Sequence, residues 1–386
     1  MAHMERTYKF RIYPTKVQSS TLDHQIGLCQ RLYNCGLEHR ITAYRNGESV
    51  SYYDQQNELP AIKEAMPEYK DIYSHAAQDA LRRLDRAYQN FFRRVKKGEK
   101  PGFPRFRGRN RYRSITFDRY GFRLLDNGHV NITKIGDVRM FRHREIDGEP
   151  KTCIIKRDDV GDWYATISVT QPDPTPVEPE AAVGVDVGLE SLATLSTGET
   201  ITRHRFIKES EEKIKILQRR VSRKKKGSGN RRKAVEKLAK AHRRVQRQRD
   251  DYLHKASRSL VDSADVVVFE NLRIRNMQKN HHLAQSISDS AWGKLMQYTV
   301  SKAEEAGKHV YFVDPSGTSQ QCARCGATVR KSLSERFHVC QCGFSTGRDL
   351  NAALNILGRL PADSGELLKT PAEAEPLCTE AIGGGA

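Results

Sequence analysis

The chain has 386 residues, of which 66 are lysine or arginine and 47 are aspartate or glutamate, so its formal net charge is +19. That length accommodates two to four domains, and the positive excess favours a polyanionic partner, either a nucleic acid or an anionic membrane surface. No apolar run approaches 18 residues and the N-terminus has no apolar signal core, so the sequence predicts neither a membrane-spanning helix nor a secreted protein.

The first half of the chain predicts a sheet with a helical insertion. Residues 4–12 alternate as a strand, and apolar residues at helical spacing predict one or two helices over 15–47 and a strong helix over 74–97. Residues 48–67 predict a loop and one short helix. Five β-like stretches over 114–170, separated by Asp, Asn and Gly turns, predict a small barrel or sheet that the N-terminal strand joins. Residues 171–180 contain four prolines and predict a stiff linker.

This half also carries basic surfaces next to aromatic residues. The helix over 74–97 has arginines and lysines outside its apolar stripe, and they either form a solvated face or lie along a phosphate backbone. The loop over 100–113 interleaves arginines with Phe103, Phe106 and Tyr112. These aromatic rings either stack on bases or pack beneath the loop.

The stretch 181–198, AAVGVDVGLESLATLSTG, predicts a buried strand, a tight connection and a second strand. Asp186 lies in the middle of the first of these strands. A carboxylate in a buried strand is costly unless it pairs with a cation or is hydrogen-bonded. Taken alone, Asp186 is as compatible with a structural role as with a functional one.

The most charged region follows this hairpin. Residues 203–258 contain 22 lysines and arginines but only 6 aspartates and glutamates, which accounts for most of the net charge of the molecule. Apolar residues at helical spacing on both sides of the turn KKKGSGN predict two long helices in a hairpin. Positive charge at this density repels itself without a polyanion nearby, so the hairpin is interpreted as a nucleic-acid surface.

The last part of the chain predicts two more strands and two helices. DVVVFE is a buried strand that ends on Glu270, and KHVYFV, over 308–313, is another. Residues 289–306 predict an amphipathic helix with Asp289 as its N-cap, and residues 348–357 predict a helix whose first turn carries Asp349. The tail 361–386 is rich in Ala, Pro, Glu and Gly and is predicted to be disordered.

Four cysteines are clustered before that last helix. Cys322 and Cys325 form a CxxC pair, Cys340 and Cys342 form a CxC pair, and each pair is followed by glycine. Two such pairs are typical of a closed, structural zinc ribbon with four thiolate ligands. Unrelated thiols remain an alternative interpretation, and His338 is an alternative ligand if the CxC pair is strained.

Three carboxylates occur in or beside apolar elements, at Asp186, Glu270 and Asp349. If their elements are neighbours, the carboxylates converge and repel one another unless a cation neutralises them. Oxygen ligands select Mg²⁺ or Mn²⁺, and two such ions can activate water and stabilise the leaving oxygen of a phosphodiester. The trio therefore predicts a metal-dependent site acting on nucleic acid.

The chain resembles the transposon-associated TnpB proteins, which are relatives of type V CRISPR effector nucleases. The resemblance covers about residues 5–358. The motifs that carry it, in chain order, are YKFRIYPT, AYQNFFRRVKKG, GFPRFRGR, GVDVGLESLATLSTG, LQRRVSRKKKGSGNRRKA, DYLHKASRSLV, FENLRIRNM, LAQSISDSAWG, the cysteine pairs and TGRDLNAALNIL.

The resemblance implies a multidomain α/β fold with an RNase H-like (RuvC) nuclease domain, a zinc ribbon, and a β-barrel wedge domain with an inserted helical recognition lobe. The expected boundaries are 1–14 and 100–175 for the wedge, 15–99 for the recognition lobe, 181–313 for the first parts of the nuclease domain including the basic hairpin 203–260, 314–346 for the ribbon and 347–360 for the last nuclease part. Asp186, Glu270 and Asp349 are the implied catalytic triad.

The implied activity is RNA-guided, Mg²⁺-dependent cleavage of double-stranded DNA next to a short transposon-associated motif, by a protein encoded in a bacterial or archaeal insertion sequence. The expected cofactors are two Mg²⁺ ions (or Mn²⁺) and one structural Zn²⁺, and the expected RNA partner is a guide from the transposon end. The protein is expected to be cytoplasmic, monomeric and nucleoid-associated, with no membrane partner. Two alternatives are a catalytically idle RNA-guided DNA-binding regulator on the same fold and a transposase proper.

Overall fold

The computed structural model describes residues 3–108, 111–332 and 335–360. The chain forms two compact units, one up to Asp173 and the other from Pro174 onward. The boundary between the units lies within the proline-rich segment 171–180. The tail 361–386, for which the sequence predicts disorder, lies outside the described residues.

The first unit is built on a seven-stranded antiparallel sheet that is nearly closed into a barrel. Its strands are β1 (His3–Tyr13), β2 (Ser114–Asp118), β3 (Phe122–Leu124), β4 (His129–Ile132), β5 (Gly136–Phe141), β6 (Glu149–Arg157) and β7 (Trp163–Pro172). Their spatial order is β2-β6-β7-β1-β5-β4-β3. The N-terminal strand therefore joins this sheet as predicted, between β7 and β5.

In the part of this unit that the structure describes, four helices pack with the sheet. They are α1 (Lys16–Arg45), α2 (Tyr52–Asn57), α3 (Leu59–Ala65) and α4 (Ser74–Lys96), and a 3₁₀ turn covers Pro67–Asp71. α1 begins with a capping box, in which the Thr15 hydroxyl accepts from the Gln18 backbone and the Gln18 side chain accepts from the Thr15 backbone. One hydrophobic core contains residues from α1, α4 and the strands, among them Leu22, Leu81 and Phe10.

In the described part of the first unit, the structure adds two details that the sequence did not predict. Strand β5 was missed because its inward-facing alternation is short, with Val138 and Met140 as its buried residues. The segment between the first two long helices contains two short helices, α2 and α3, where one was expected. The choice left open for Tyr112 is also decided, because its ring is buried in the core and is not available to stack on a base.

The second unit contains a five-stranded mixed sheet. Its strands are β8 (Ala182–Asp186), β9 (Ser191–Leu195), β10 (Thr200–Thr202), β11 (Val266–Glu270) and β12 (His309–Val313), in the order β10-β9-β8-β11-β12. The pairs β8–β11 and β11–β12 are parallel, whereas β9 is antiparallel to β8 and to β10. The predicted strand–connection–strand unit around Asp186 is therefore confirmed as the hairpin β8–β9. Asp186, however, is the last residue of β8 and does not lie in the middle of the strand, because the residues that follow it form the connection to β9.

The described residues of this unit form six helices. They are α5 (Phe206–Ser222), α6 (Gly229–Ser263), α7 (Ile274–Met277), α8 (Ala284–Ser290), α9 (Trp292–Glu305) and α10 (Arg348–Gly358). α5 and α6 form the predicted basic hairpin, and the C-terminal half of α6 packs through Leu253 and Leu260 into a core shared with α9 and β11. Across the described parts of both units, no helix is long and apolar enough to cross a membrane.

The prediction that Asp289 caps the amphipathic helix is wrong. Asp289 lies in α8, and α9 begins only at Trp292, after a left-handed residue at Ala291. The Asp289 carboxylate instead accepts the backbone N–H of Ile207 and so caps the start of α5. Asp289 was expected to cap the nearest helix in the sequence. Its carboxylate instead caps a helix that begins about 80 residues earlier, and only the tertiary fold brings that helix close to Asp289.

A two-stranded hairpin connects the cysteine-rich segment to α10. Its strands are β13 (Phe337–Val339) and β14 (Ser345–Gly347), which pair antiparallel. Cys340 and Cys342 lie in the turn between these strands, and α10 begins directly after β14. The chain therefore passes from the cysteine cluster to Asp349 with no intervening linker.

Candidate functional site

Asp186 and Glu270 end two adjacent parallel strands. The register of β8 and β11 pairs Val185 with Phe269, so the next residue on each strand is one of the two carboxylates. Parallel strands point their carboxyl ends to the same edge of a sheet, and the two side chains therefore share that edge. Glu270 is only 8% exposed, so its burial needs a partner.

Asp349 approaches the same edge from the first turn of α10. This helix packs closely on β8 because Gly184 has no side chain, and a Cβ there would lie 2.7 Å from the backbone nitrogen of Leu357. Beyond the end of β8, a Cβ built on Gly188 would lie 3.9 Å from Oδ2 of Asp349. The carboxylate of α10 therefore lies against the loop that follows Asp186.

The electrostatics of the three carboxylates show that they interact. Burial, followed by the negative charges of Glu270 and Asp349, raises the pKa of Asp186 well above its ordinary value, and Arg348 opposes this only in part. Burial also raises the pKa of Glu270, against a hydrogen bond from Thr318. The three acids predicted from the sequence are thus brought together in one electronegative site.

This donor set fits divalent cations with oxygen ligands, because a cation would relieve both the burial and the mutual repulsion of the carboxylates. The residues that would hold such an ion are Asp186, Glu270 and Asp349, which come from β8, β11 and α10.

The four cysteines form a second cluster. The Sγ atoms of Cys322, Cys325, Cys340 and Cys342 lie within 4.8 Å of one another. Cys322 and Cys342 are 3.8 Å apart, and Cys325 and Cys340 are 3.5 Å apart. A tetrahedral Zn²⁺ with Zn–S bonds of about 2.3 Å requires sulfur separations of about 3.8 Å. The cluster therefore fits a zinc ion with both members of the CxC pair as ligands.

The thiols of this cluster compete for protons. Although burial opposes the shift, hydrogen bonds from the backbones of Cys325 and Arg324 lower the pKa of Cys322 to about 6. A backbone hydrogen bond of Ala327 lowers the pKa of Cys325, but the sulfurs of Cys340 and Cys342 outweigh it, so that the net shift is upward. Four adjacent thiolates need a cation to share a site, and a bound metal ion would supply it.

His338 lies beside this cluster but is not a member of it. Its ring is fully buried, and Nζ of Lys331 donates to Nδ1 at 2.5 Å. Within the described residues, the group whose donor atoms lie close enough to share an ion contains the four cysteines and not this histidine. The geometry thus favours the four-thiolate set over the alternative in which His338 replaces a cysteine.

The structure identifies residues around the carboxylates that the sequence did not single out. The Thr318 hydroxyl donates to Oε1 of Glu270, and Asn351 and Asn355 on α10 donate to the backbone of the segment that carries Thr318. The i, i+4 spacing of the two asparagines beyond Asp349 was a visible signal of a polar helix face. Nothing in the sequence linked Thr318 to Glu270, which lies 48 residues earlier.

The basic surfaces are exposed. On the hairpin α5–α6, acidic residues pair locally with lysines, as in Glu211–Lys215 and Glu236–Lys240. These pairs leave most of the positive charge of the hairpin uncompensated by its own acids. In the first unit, Phe103 and Phe106 are each about half exposed beside the arginines of their loop. Both surfaces suit a polyanion, and the exposed ring of Phe106 suits stacking, whereas the Phe103 ring packs edge-on against Tyr88 and Phe91 of α4.

Three sequence families match the chain. Residues 166–281 match OrfB_IS605, described as "Probable transposase", and residues 292–356 match a Cas12f1-like TNB domain. Residues 1–49 match a helix-turn-helix domain of the OrfB_IS605 group. In the described part of that last range, the structure contains strand β1 and the single long helix α1, so the segment does not form two helices joined by a turn.

Similar proteins extend over nearly the whole chain. A Streptomyces pristinaespiralis protein named "Putative RNA-guided DNA endonuclease" is 37% identical and covers 92% of this chain and 90% of its own length. An Escherichia coli (strain K12) protein with the same name and the suffix InsQ is 30% identical and covers 96% and 97%.

The fold is also found in a solved structure, the Cas12f1-sgRNA-target DNA complex, with a TM-score of 0.60 at 13% identity. The match covers 92% of this chain and 98% of that one. Its low identity makes it a likeness of fold alone, a multidomain α/β architecture. Together with the two full-length relatives and the family matches, it leads to one assignment: the chain belongs to the OrfB_IS605 family, the TnpB proteins.

Proposed function

We propose that this chain is an RNA-guided endonuclease that cleaves double-stranded DNA, with Asp186, Glu270 and Asp349 as its catalytic carboxylates. The convergence of these three acids from β8, β11 and α10 carries the proposal. Two relatives that align over more than nine tenths of the chain are named as RNA-guided DNA endonucleases, which supports the substrate and the guide.

The carboxylates would hold Mg²⁺, or Mn²⁺, which when bound supplies Lewis-acid activation of water and neutralises charge on the leaving oxygen. The chain's own residues prepare the site. The start of α10 stabilises the negative charge of Asp349 through the partial positive charge of a helix N-terminus. The burial of Asp186 and Glu270 lowers the local dielectric, which strengthens their interaction with any cation.

The fold supports a finer assignment. We assign the second unit as a RuvC-like, RNase H-fold nuclease domain interrupted by the basic hairpin and the cysteine cluster, since its mixed sheet carries two of the acids on neighbouring strands. The seven-stranded sheet would be the wedge domain and helices α1–α4 the recognition lobe. The cysteine cluster would bind one structural Zn²⁺, because all four tetrahedral positions are filled by sulfur.

The proposed partners are a guide RNA from the transposon end and a DNA duplex next to a short transposon-associated motif. The hairpin α5–α6 and the loop over 100–113 supply the positive charge that a phosphate backbone requires. Sequencing RNA that copurifies with the full chain from its host cells tests the guide. A discrete RNA with a variable end is expected, and bulk cellular RNA would leave only a basic nuclease.

The catalytic assignment is tested with Asp186→Ala in the complex with guide RNA. The variant should bind a matched target with unchanged affinity in a filter-binding assay and lose cleavage of a plasmid in Mg²⁺. Glu190→Ala, which changes an exposed carboxylate four residues away, is the control and should still cleave. Cleavage by the Asp186 variant would show that the assignment of the catalytic triad is wrong. An unsubstituted chain that binds the target but does not cleave it would favour the catalytically idle DNA-binding regulator.

A transposase remains the second candidate, because one matching family is described as "Probable transposase". That activity joins strands in addition to cutting them. Incubating the purified protein with a transposon-end fragment and a target plasmid distinguishes the two. Linearised plasmid alone supports the endonuclease, whereas covalent joint products would support the transposase.

A further inference from the structure

The segment 314–321 connects strand β12 to the first cysteine of the ribbon and passes over Glu270. It begins where the backbone N–H of Asn271 donates to the carbonyl of Val313 at 2.8 Å, beside the end of β11. Midway along the segment, Thr318 is only 4% exposed. Its hydroxyl donates to Oε1 of Glu270, and the alternative acceptor, the carbonyl of Pro315, is 3.4 Å away.

One face of α10 holds this segment in place. Asn355 donates through Nδ2 to the carbonyls of Thr318, at 2.7 Å, and Gln321, at 2.6 Å. Arg359, four residues further along at the C-cap of α10, donates to the carbonyl of Asp314 at 2.7 Å and to the Gln321 side chain at 3.1 Å. Spacing of four residues places these side chains in a row along the helix.

Asn351, one turn before Asn355, extends the row to the zinc ligands. It is fully buried, its Oδ1 accepts the backbone N–H of Ala323 at 3.1 Å, and its Nδ2 donates to the carbonyl of Gln321 at 2.8 Å. Ala323 directly follows Cys322, the first cysteine. The same helix face therefore binds the first cysteine knuckle and the segment that carries Thr318, and its first turn carries Asp349.

These contacts matter for Glu270 because a carboxylate at the end of a strand can rotate about its terminal bonds. The Thr318 hydroxyl restricts that rotation by binding Oε1, and this sets the direction in which Oε2 faces. Partners that orient metal-binding carboxylates in this way typically change metal affinity or activity by about 10–100-fold when removed.

We propose that Thr318 is the positioning residue for Glu270 and that the cysteine ribbon acts through Thr318 to order the metal-binding carboxylates. The inference rests on the proposed function, since it assumes that Glu270 binds a divalent cation. It assigns the ribbon a task within the nuclease site, in addition to any contact with nucleic acid. The hydroxyl is the functional atom, and the row Asn351, Asn355 and Arg359 keeps it in place.

The test compares Thr318→Val, which keeps the shape and removes the hydroxyl, with Thr318→Ser, which keeps the hydroxyl. Thr328→Val is the matched control, because this exposed threonine lies in the same ribbon. Full-length, zinc-loaded proteins are titrated with Mn²⁺ by electron paramagnetic resonance, and the binding that remains in Asp186→Ala is subtracted. Zinc content and thermal unfolding are measured on every variant, so that a folding defect is recognised.

Thr318→Val should weaken Mn²⁺ binding by about 10–100-fold and raise the Mg²⁺ concentration for half-maximal cleavage in the same proportion, with its zinc retained. Thr318→Ser should bind Mn²⁺ nearly as tightly as the unsubstituted chain, and Thr328→Val should match it. Unchanged Mn²⁺ affinity in Thr318→Val, or equal losses in the valine and serine variants, would overturn the inference.

A second variant covers the case in which Thr318→Val does not fold. Asn355→Ala removes the anchor of the Thr318 backbone from a partly exposed face and should give a smaller loss of Mn²⁺ affinity in the same direction; no loss would overturn the inference. The Asp186→Ala baseline separates the two proposals. If that variant binds Mn²⁺ like the unsubstituted chain, the metal site itself is wrong, whereas a loss there with none in Thr318→Val refutes only the role of Thr318.

Discussion

At the scale of the residue, the site is defined by charge that the fold leaves uncompensated. The Asp186 carboxylate is buried beside the carboxylates of Glu270 and Asp349, and the positive charge of Arg348 offsets their repulsion only in part. Three carboxylates that repel one another in a partly buried site lower the stability of the folded protein. The cost is understandable if a divalent cation completes the site, because the same repulsion then becomes metal affinity.

Asp186→Asn should therefore stabilise the metal-free protein. The folded-state pKa of Asp186 is raised above its unfolded value, so the folded state binds more protons and its stability falls as pH rises from about 4 through the native pKa. Above that pH range, the free energy of unfolding is lower by about 1.4 kcal/mol for each pH unit by which the native pKa exceeds the unfolded one.

Thermal unfolding in a metal chelator at pH 5 and pH 8 measures this effect. The unsubstituted chain should lose more stability between the two pH values than Asp186→Asn does, while Glu190→Gln, at an exposed position, should behave like the unsubstituted chain. Equal pH dependence in all three proteins would contradict the interpretation.

At the scale of the element, two insertions give the second unit its character. The ribbon, with hairpin β13–β14, has few buried apolar residues, so the proposed zinc ion at its four sulfurs would supply much of its order. The hairpin α5–α6 is the opposite case, because it consists of two long helices whose exposed surface is rich in lysine and arginine. We therefore expect metal removal to affect the ribbon and salt concentration to affect nucleic-acid binding by the hairpin.

Cys340→Ser should remove the zinc of the ribbon. Purified unsubstituted protein is expected to contain about one zinc per chain by mass spectrometry, and the variant much less, with faster proteolysis over 320–347. Cys35→Ser is the control, because Cys35 is an exposed free thiol in the first unit. Full zinc occupancy in the Cys340 variant, or no zinc in correctly folded unsubstituted protein, would show that the four-thiolate assignment is wrong.

Replacing the three lysines of the hairpin turn, Lys224, Lys225 and Lys226, with glutamine should weaken guide RNA binding and its salt dependence. Each RNA phosphate that the variant no longer neutralises reduces the slope of log affinity against log salt by roughly 0.7. Lys240→Gln is the control, because Lys240 already pairs with Glu236 at 2.6 Å and should contribute less. Filter binding over a series of salt concentrations measures the slopes, and salt-insensitive affinity would count against an RNA-binding hairpin.

At the scale of the whole molecule, the buried hydrophobic residues divide between the two units. One cluster contains the helices and the sheet of the first unit, and two others contain the core of the second. Separate cores joined by a proline-rich segment are the arrangement in which domains unfold as separate cooperative units.

Calorimetry of the full chain without nucleic acid should therefore show two unfolding transitions. Removing zinc with a chelator, or by Cys340→Ser, should lower the midpoint of one transition by several degrees and leave the other unchanged, because all four cysteines of the cluster belong to the second unit. A single transition that moves as a whole would instead indicate that the two units unfold together.

Much of this protein follows from its sequence because the signals are local. The hairpin around Asp186, the basic helices, the strand ending at Glu270 and the helix beginning before Asp349 are each recognisable from periodicity and turn residues, and each is present in the structure. The cysteine spacing likewise predicts a four-sulfur cluster. What failed was the assignment of a contact to a sequence neighbour, as when Asp289 was matched to the adjacent helix and not to α5.

Contacts between distant segments were decided only by the tertiary structure. A sequence of alternating elements does not state strand order, so the adjacency of Asp186 and Glu270 depends on the pairing of β8 with β11, and the position of Asp349 depends on the close approach of α10 over Gly184. The hydrogen bond from Thr318 to Glu270 spans 48 residues. The sequence determined which residue types were present for metal chemistry, and only the packing of the chain brought them into one site, because electrostatic interaction depends on distance in space.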